Sequence, residues 1–148
     1  MTISNDMEFK SALSRLSRAG QRQVAARFAE SVLALCPDPR VGGAINSAKR
    51  TDVTEAELKG ACQAAKAVSV ESFTRCGHEC DWHSQAAHFV AEAVLACVKT
   101  GGPGGNPAWD TAMHARMART CETIATGRGT DNSEPSAQYR ILAEFLNT

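Results

Sequence analysis

The sequence is short of the features that commit a chain to a special environment or scaffold. Aromatic residues make up only 5% of its 148 positions, with one tyrosine and two tryptophans, which argues against a sandwich of aromatic-rich strands. Neither sign of charge is in excess, since 16 Lys and Arg face 16 Asp and Glu. A balanced chain carries no global field to gather nucleic acid or an anionic membrane surface, so neither is expected as a partner. No run approaches the roughly 18 consecutive apolar residues of a membrane span. The most apolar stretch, AAHFVAEAVLACV, is short and interrupted by His88 and Glu92. The opening MTISNDMEFKSALSRL has no basic stretch followed by an apolar run, so it does not read as a secretory signal and a cytoplasmic location is expected. There the six cysteines should stay reduced, serving first as small buried hydrophobes and only second as ligands or nucleophiles.

What is present is alanine and helical periodicity. Apolar residues total 43% and much of that share is alanine, a strong helix former suited to closely spaced helices. A chain of 148 residues can bury one core without disulfides or metals. Residues 1–148 are therefore expected to form a single all-α domain, an orthogonal or up-and-down helical bundle of about six to seven helices.

Periodicity with start and stop signals places seven segments along the chain. The first, about Asp6 to Ala19, carries Phe9, Ala12, Leu13 and Leu16 on one face and ends at Gly20. The second, about Gln21 to Leu35, buries Val24, Phe28 and Val32 and stops before Pro37. Asp38 and Pro39 cap a third, with Val41, Ala44, Ile45 and Ala48 inward. Thr54 and Glu57 form a capping box for a fourth, striped by Leu58, Ala61, Cys62, Ala65 and Val68. The fifth, about Asp81 to Lys99, is apolar over most of its circumference and is expected at the centre of the core, with Phe89 fully buried. GGPGGNP then reads as a flexible connector over 100–107, lacking the Lys-Ser/Thr of a phosphate loop. Pro107 opens a sixth helix carrying Trp109, Met113, Met117, Cys121 and Ile124, and Ser133 with Pro135 opens a seventh facing inward through Ile141, Leu142 and Phe145.

The stretch RQVAARFAESVLALCPDPRVGGAINSAKRTDVTEAELKGACQAAKAV has a distinctive order: a helix ending at a Pro and Asp loop, a short helix with an AI-x-x-A pattern, a polar insert, and a helix opening on T-x-x-EL. With AAHFVAEAVLACV and AWDTAMHARMARTCETIA behind it, this resembles the helical immunity-protein-like family of bacterial polymorphic toxin systems. The resemblance implies a protein that neutralises or accompanies a protein partner, with no cofactor and no catalytic residues.

Chemistry is concentrated in Cys76-Gly77-His78-Glu79-Cys80-Asp81-Trp82-His83. Thiolate and imidazole are preferred ligands of zinc and copper(I), so Cys76, His78, Cys80 and His83 are the candidate metal ligands. In an unbroken helix Cys76, Cys80 and His83 would share a face; a turn at Gly77 would let His78 join instead. Only His114 and Cys121 offer a second, distant donor pair. The same segment is loosely similar to the active site of the helical peroxidase and decarboxylase-like family, which uses two nearby cysteines followed by a histidine. Here Cys80 lies one residue too far from Cys76 and His83 one too close to Cys80, and Cys80 is the better nucleophile, at a helix start. Arg15, Arg18 and Arg22 would line a face able to meet nucleic acid only if the first helix ran on. His88 and Glu92 are spaced as an i, i+4 pair. The reading that results is a protein-binding helical module, immunity-like or regulatory, with a zinc or copper protein as the alternative and a two-cysteine redox enzyme behind it.

Overall fold

The computed structural model describes the backbone of residues 2–79, 81–99 and 105–148, and their side chains except at 76–79. It is an all-α bundle: α1 (Asp6–Ser14), α2 (Arg18–Ser31), a 3-10 turn (Leu33–Leu35), α3 (Pro39–Lys49), α4 (Glu55–Glu79), α5 (Trp82–Val98), α6 (Pro107–Ala125) and α7 (Glu134–Leu146), with no strand among the described residues. No described helix is long and apolar enough to cross a membrane.

Side-chain caps set most of the boundaries. Asp38 accepts from the Arg40 amide at 3.0 Å ahead of Pro39. Thr54 and Glu57 exchange reciprocal bonds at the start of α4, each to the other's amide, at 3.1 and 3.2 Å. Both satisfy amides that the first helical turn leaves without carbonyl partners. The first break differs from the sequence expectation. α1 ends at Ser14, and Ser17 Oγ accepts from the Gly20 amide at 3.1 Å to start α2. Gly20 is thus inside a helical turn, where a Cβ would sit 3.3 Å from Ser17 Oγ and 3.5 Å from Leu16 Cβ. The serine cap overrides glycine as punctuation. α2 likewise stops at Ser31, and the 3-10 turn takes the chain on towards Pro37. At α7 the cap belongs to Asn132, which accepts from the Glu134 amide at 2.9 Å, whereas the Ser133 side chain makes no capping bond.

The core joins Phe9 and Leu13 of α1, Val24 and Phe28 of α2, Val41 and Ile45 of α3, Ala65 of α4, Val90, Val94 and Val98 of α5, and Leu142 of α7. α5 is central, packing most extensively on α6 and α4 and also meeting α2, α3 and the 3-10 turn. Its apolar circumference is not uniformly buried, however: Phe89 is half-buried and Trp82 is 45% exposed. α6 presents a second departure. Its buried face is the row Ala108, Ala112, Ala115 and Ala118, together with Thr111 and Cys121. Of the large residues expected inward, Trp109, Met113 and Ile124 are half-buried and Met117 is 46% exposed. Alanine against the alanine and valine of α5 brings two backbones close, which the bulkier face would prevent.

Candidate functional site

The α4–α5 connection holds the residues singled out by sequence. α4 continues helically through Gly77 to Glu79, and α5 begins at Trp82 behind Asp81, whose backbone is extended. The continuous helix that would have aligned Cys76, Cys80 and His83 is therefore interrupted before His83. Asp81 is engaged in capping: its carboxylate accepts from the His83 amide at 2.7 Å, the Ser84 amide at 3.2 Å and the Ser84 hydroxyl at 3.1 Å. The amides of Ser84 and His83 hold that carboxyl below the ordinary aspartate range. His83 is exposed in the first turn of α5. The side chains of Cys76, His78 and Cys80 lie outside the described residues, as does the stretch 100–104 of the glycine-rich connector. Among the described residues, no three His, Cys, Asp or Glu side chains gather as a metal-ligating group.

The distant donors His114 and Cys121 serve packing. The His114 ring stacks on Phe89 with centroids 6.4 Å apart, leaving a buried Nδ1 without a hydrogen-bond partner among the described residues. Cys36, Cys62, Cys97 and Cys121 form no disulfide with one another. Burial pushes the Cys36 thiol up, and that of Cys97 up to about 12, opposite to what a thiolate nucleophile requires.

Beside the corner, α4 and α5 meet along a polar seam that sequence spacing revealed only in half. His88 Nε2 stands 3.5 Å from Glu92 Oε1, the anticipated pair. Across the seam, Ser69 Oγ donates to Glu92 at 2.8 Å and Ser72 Oγ lies 3.0 Å from His88 Nδ1. The serines were not singled out because their partners sit on another helix; polar residues at i, i+3 among the small residues of α4 were the available signal. Ser69 facing Glu92 and Ser72 facing His88 define an antiparallel hairpin. On its outer side Val70 and Phe73 are 58% and 68% exposed, and the Phe73 ring lies 5.7 Å from that of His88. Arg40 spans from Asp38 to Glu71 next to them, binding both carboxylates.

A concavity lies at the C-terminal end of α5. Arg18 and Arg22 of α2, Glu55, Leu58 and Lys59 of α4, Cys97 and Val98 of α5, and the flanking Val53, Lys99 and Pro107 enclose about 620 Å³. Comparison of the chain with known protein families, with curated proteins and with solved structures returns no match.

Proposed function

We propose that this protein is a helical binding module that acts by holding a protein partner, in the manner of an immunity or regulatory protein. The observation that carries the reading is the exposure of three large apolar side chains on the α4–α5 hairpin, Val70 and Phe73 on α4 and Trp82 in the first turn of α5. Large apolar side chains in water are a standing cost that a partner surface removes, and Phe and Trp contribute strongly to interface energy when they fill a pocket. The Arg40–Glu71 ion pair beside Val70 and Phe73 gives this face the polar rim typical of such contacts. The resemblance of the central helices to immunity-like proteins supports the same reading. The alternative, zinc or copper held by Cys76, His78, Cys80 and His83, rests on four donors falling within eight residues of the sequence.

The test is retention of a protein from the native cell extract by the purified chain, compared with a Phe73→Glu/Trp82→Glu variant that keeps its helical content. A single stoichiometric protein, identified by mass spectrometry, should be held by the wild type and lost by the variant. Hydrogen exchange at 70–75 and 82–85 should slow in the complex. Retention of the same protein by both forms, or elution of the wild type alone, would defeat the proposal. Zinc or copper bound at one per chain would bring the alternative forward.

A further inference from the structure

We propose that the cleft between the start of α2, the start of α4 and the end of α5 binds a soluble small molecule that joins a phosphate group to an apolar body. Its volume of about 620 Å³ falls in the range of pockets that enclose drug-sized ligands. Four cations line it, Arg18, Arg22, Lys59 and Lys99, against one carboxylate, Glu55. In a chain with no net charge, this is a local concentration of one sign. Lys59 and Lys99 pair with no carboxylate among the described residues, and the Arg22 guanidinium is met by backbone oxygens, donating to Ala48 at 3.0 Å and Arg50 at 2.9 Å. Those carbonyls close the C-terminal end of α3, so they fix the group in place and offset part of its charge while leaving it without a carboxylate partner among the described residues, an arrangement that can still meet an anion.

The floor decides what else the ligand carries. Leu58, Cys97 and Val98 are buried, and Val53 and Pro107 half-buried, so the base of the cleft is apolar. An inorganic anion has no use for that floor, and a neutral ligand has none for four cations. The cleft is built to hold rather than to react: the Cys97 sulfur donates to the Arg22 carbonyl at 3.4 Å, and its thiol is pushed up to about 12 by burial. The inference is independent of the docking face, which lies on a different part of α4.

Calorimetric titration with octyl phosphate, with inorganic phosphate and with the neutral octyl glucoside as comparators, tests both halves. One octyl phosphate should bind per chain, more tightly than either comparator and less tightly as salt rises. The Lys59→Glu/Lys99→Glu variant, still helical by circular dichroism, should bind at least about tenfold more weakly, and Phe73→Glu/Trp82→Glu should bind as the wild type does. Flotation with phosphatidic acid vesicles separates a free ligand from a lipid headgroup, and the chain should stay in solution. Unchanged affinity in the lysine variant, inorganic phosphate binding as tightly as octyl phosphate, or flotation abolished by that variant would each overturn the proposal.

Discussion

Arg119 and Arg22 are both half-buried arginines that tie helices together, yet they are met by opposite kinds of partner. Arg119 donates to Glu134 at 2.9 Å and Glu122 at 3.0 Å, with a further bond to the Ser31 carbonyl at 3.1 Å. Glu134 in turn accepts from Ser31 Oγ at 3.0 Å, so α2, α6 and α7 close around a neutralised cluster. Arg116 repeats the pattern one turn earlier, reaching Asp6 at 2.8 Å and Gln138 at 2.8 Å while Tyr139 donates to the same Asp6. Among the described residues, Arg22 meets only backbone oxygens. Charge in this bundle is thus paired with carboxylates on the α6–α7 side, whereas at the cleft Arg22, Lys59 and Lys99 meet no carboxylate among the described residues. A buried charge with its counterion contributes to holding one arrangement of helices, whereas one without a counterion is a standing attraction for a ligand.

The contrast is broken most severely by removing a structural counterion. Glu134 is 3% exposed, and Glu134→Ala would leave Arg119 short of a carboxylate inside the bundle. Loss of one member of a buried pair costs about 3 to 5 kcal/mol; because Glu122 remains within reach of Arg119, the lower end, about 3 kcal/mol, is expected. Urea unfolding measures it. A loss below about 1 kcal/mol would mean that the cluster is rim decoration and that the two sides of the molecule do not differ as described.

Acid sharpens the same comparison. Arg128 first, and Arg119 after it, hold the Glu122 carboxyl below its ordinary value of 4.5. A carboxyl depressed in the folded state stabilises the fold at pH above its unfolded value, and that contribution disappears as pH falls through the folded value. Wild-type stability should therefore decline below about pH 4.5, with part of the decline due to Glu122. In Glu122→Gln that part is absent, so the gap between the two proteins should be widest near neutrality and narrow as pH drops. Parallel profiles of melting temperature against pH from 7 to 3 would remove Glu122 from the clamp.

Much of the architecture was legible because its signals are local. Asp38 with Pro39, Thr54 with Glu57, and the row Val41, Ala44, Ile45 and Ala48 each state a helix start or buried face within a few residues, and each holds in the fold. The errors arose where a weak local signal competed with packing. Gly20 resembled a stop, but Ser17 supplied a cap next to it. Trp109, Met113 and Met117 resembled a core stripe by size, but the alanines beside them allowed α5 and α6 to approach more closely. Phe89 was expected fully buried and is half-buried, stacked on His114, so Phe89→Ala should cost less than the about 3 to 5 kcal/mol of a fully enclosed phenylalanine. Of the sites, His88 with Glu92 could be read from spacing, whereas the basic cleft could not. Its cations come from Arg18, Arg22, Lys59 and Lys99, scattered over three parts of the chain and brought together only by the tertiary fold.

The smallest expected effect falls on the cleft itself, where charges that await a ligand should do little for the unliganded fold. Lys59 and Lys99 are exposed and meet no carboxylate among the described residues. Exposed side chains outside bonded networks usually change stability by no more than about 0.5 kcal/mol when replaced; Lys99 is the C-cap of α5, where losing a cation forgoes a few tenths of a kcal/mol against the helix dipole, and removing like charges that face a shared cleft relieves a comparable repulsion. The two effects oppose each other, so Lys59→Ala/Lys99→Ala should leave the urea midpoint close to that of the wild type. With octyl phosphate present, the wild type should become the more stable, because a ligand that binds only the folded state adds stability in proportion to its affinity and the wild type binds it better. Measuring both proteins with and without the ligand separates the two roles of charge in one experiment. A double alanine variant that loses more than about 1 kcal/mol without ligand would show that these lysines belong, like Arg119, to the structure.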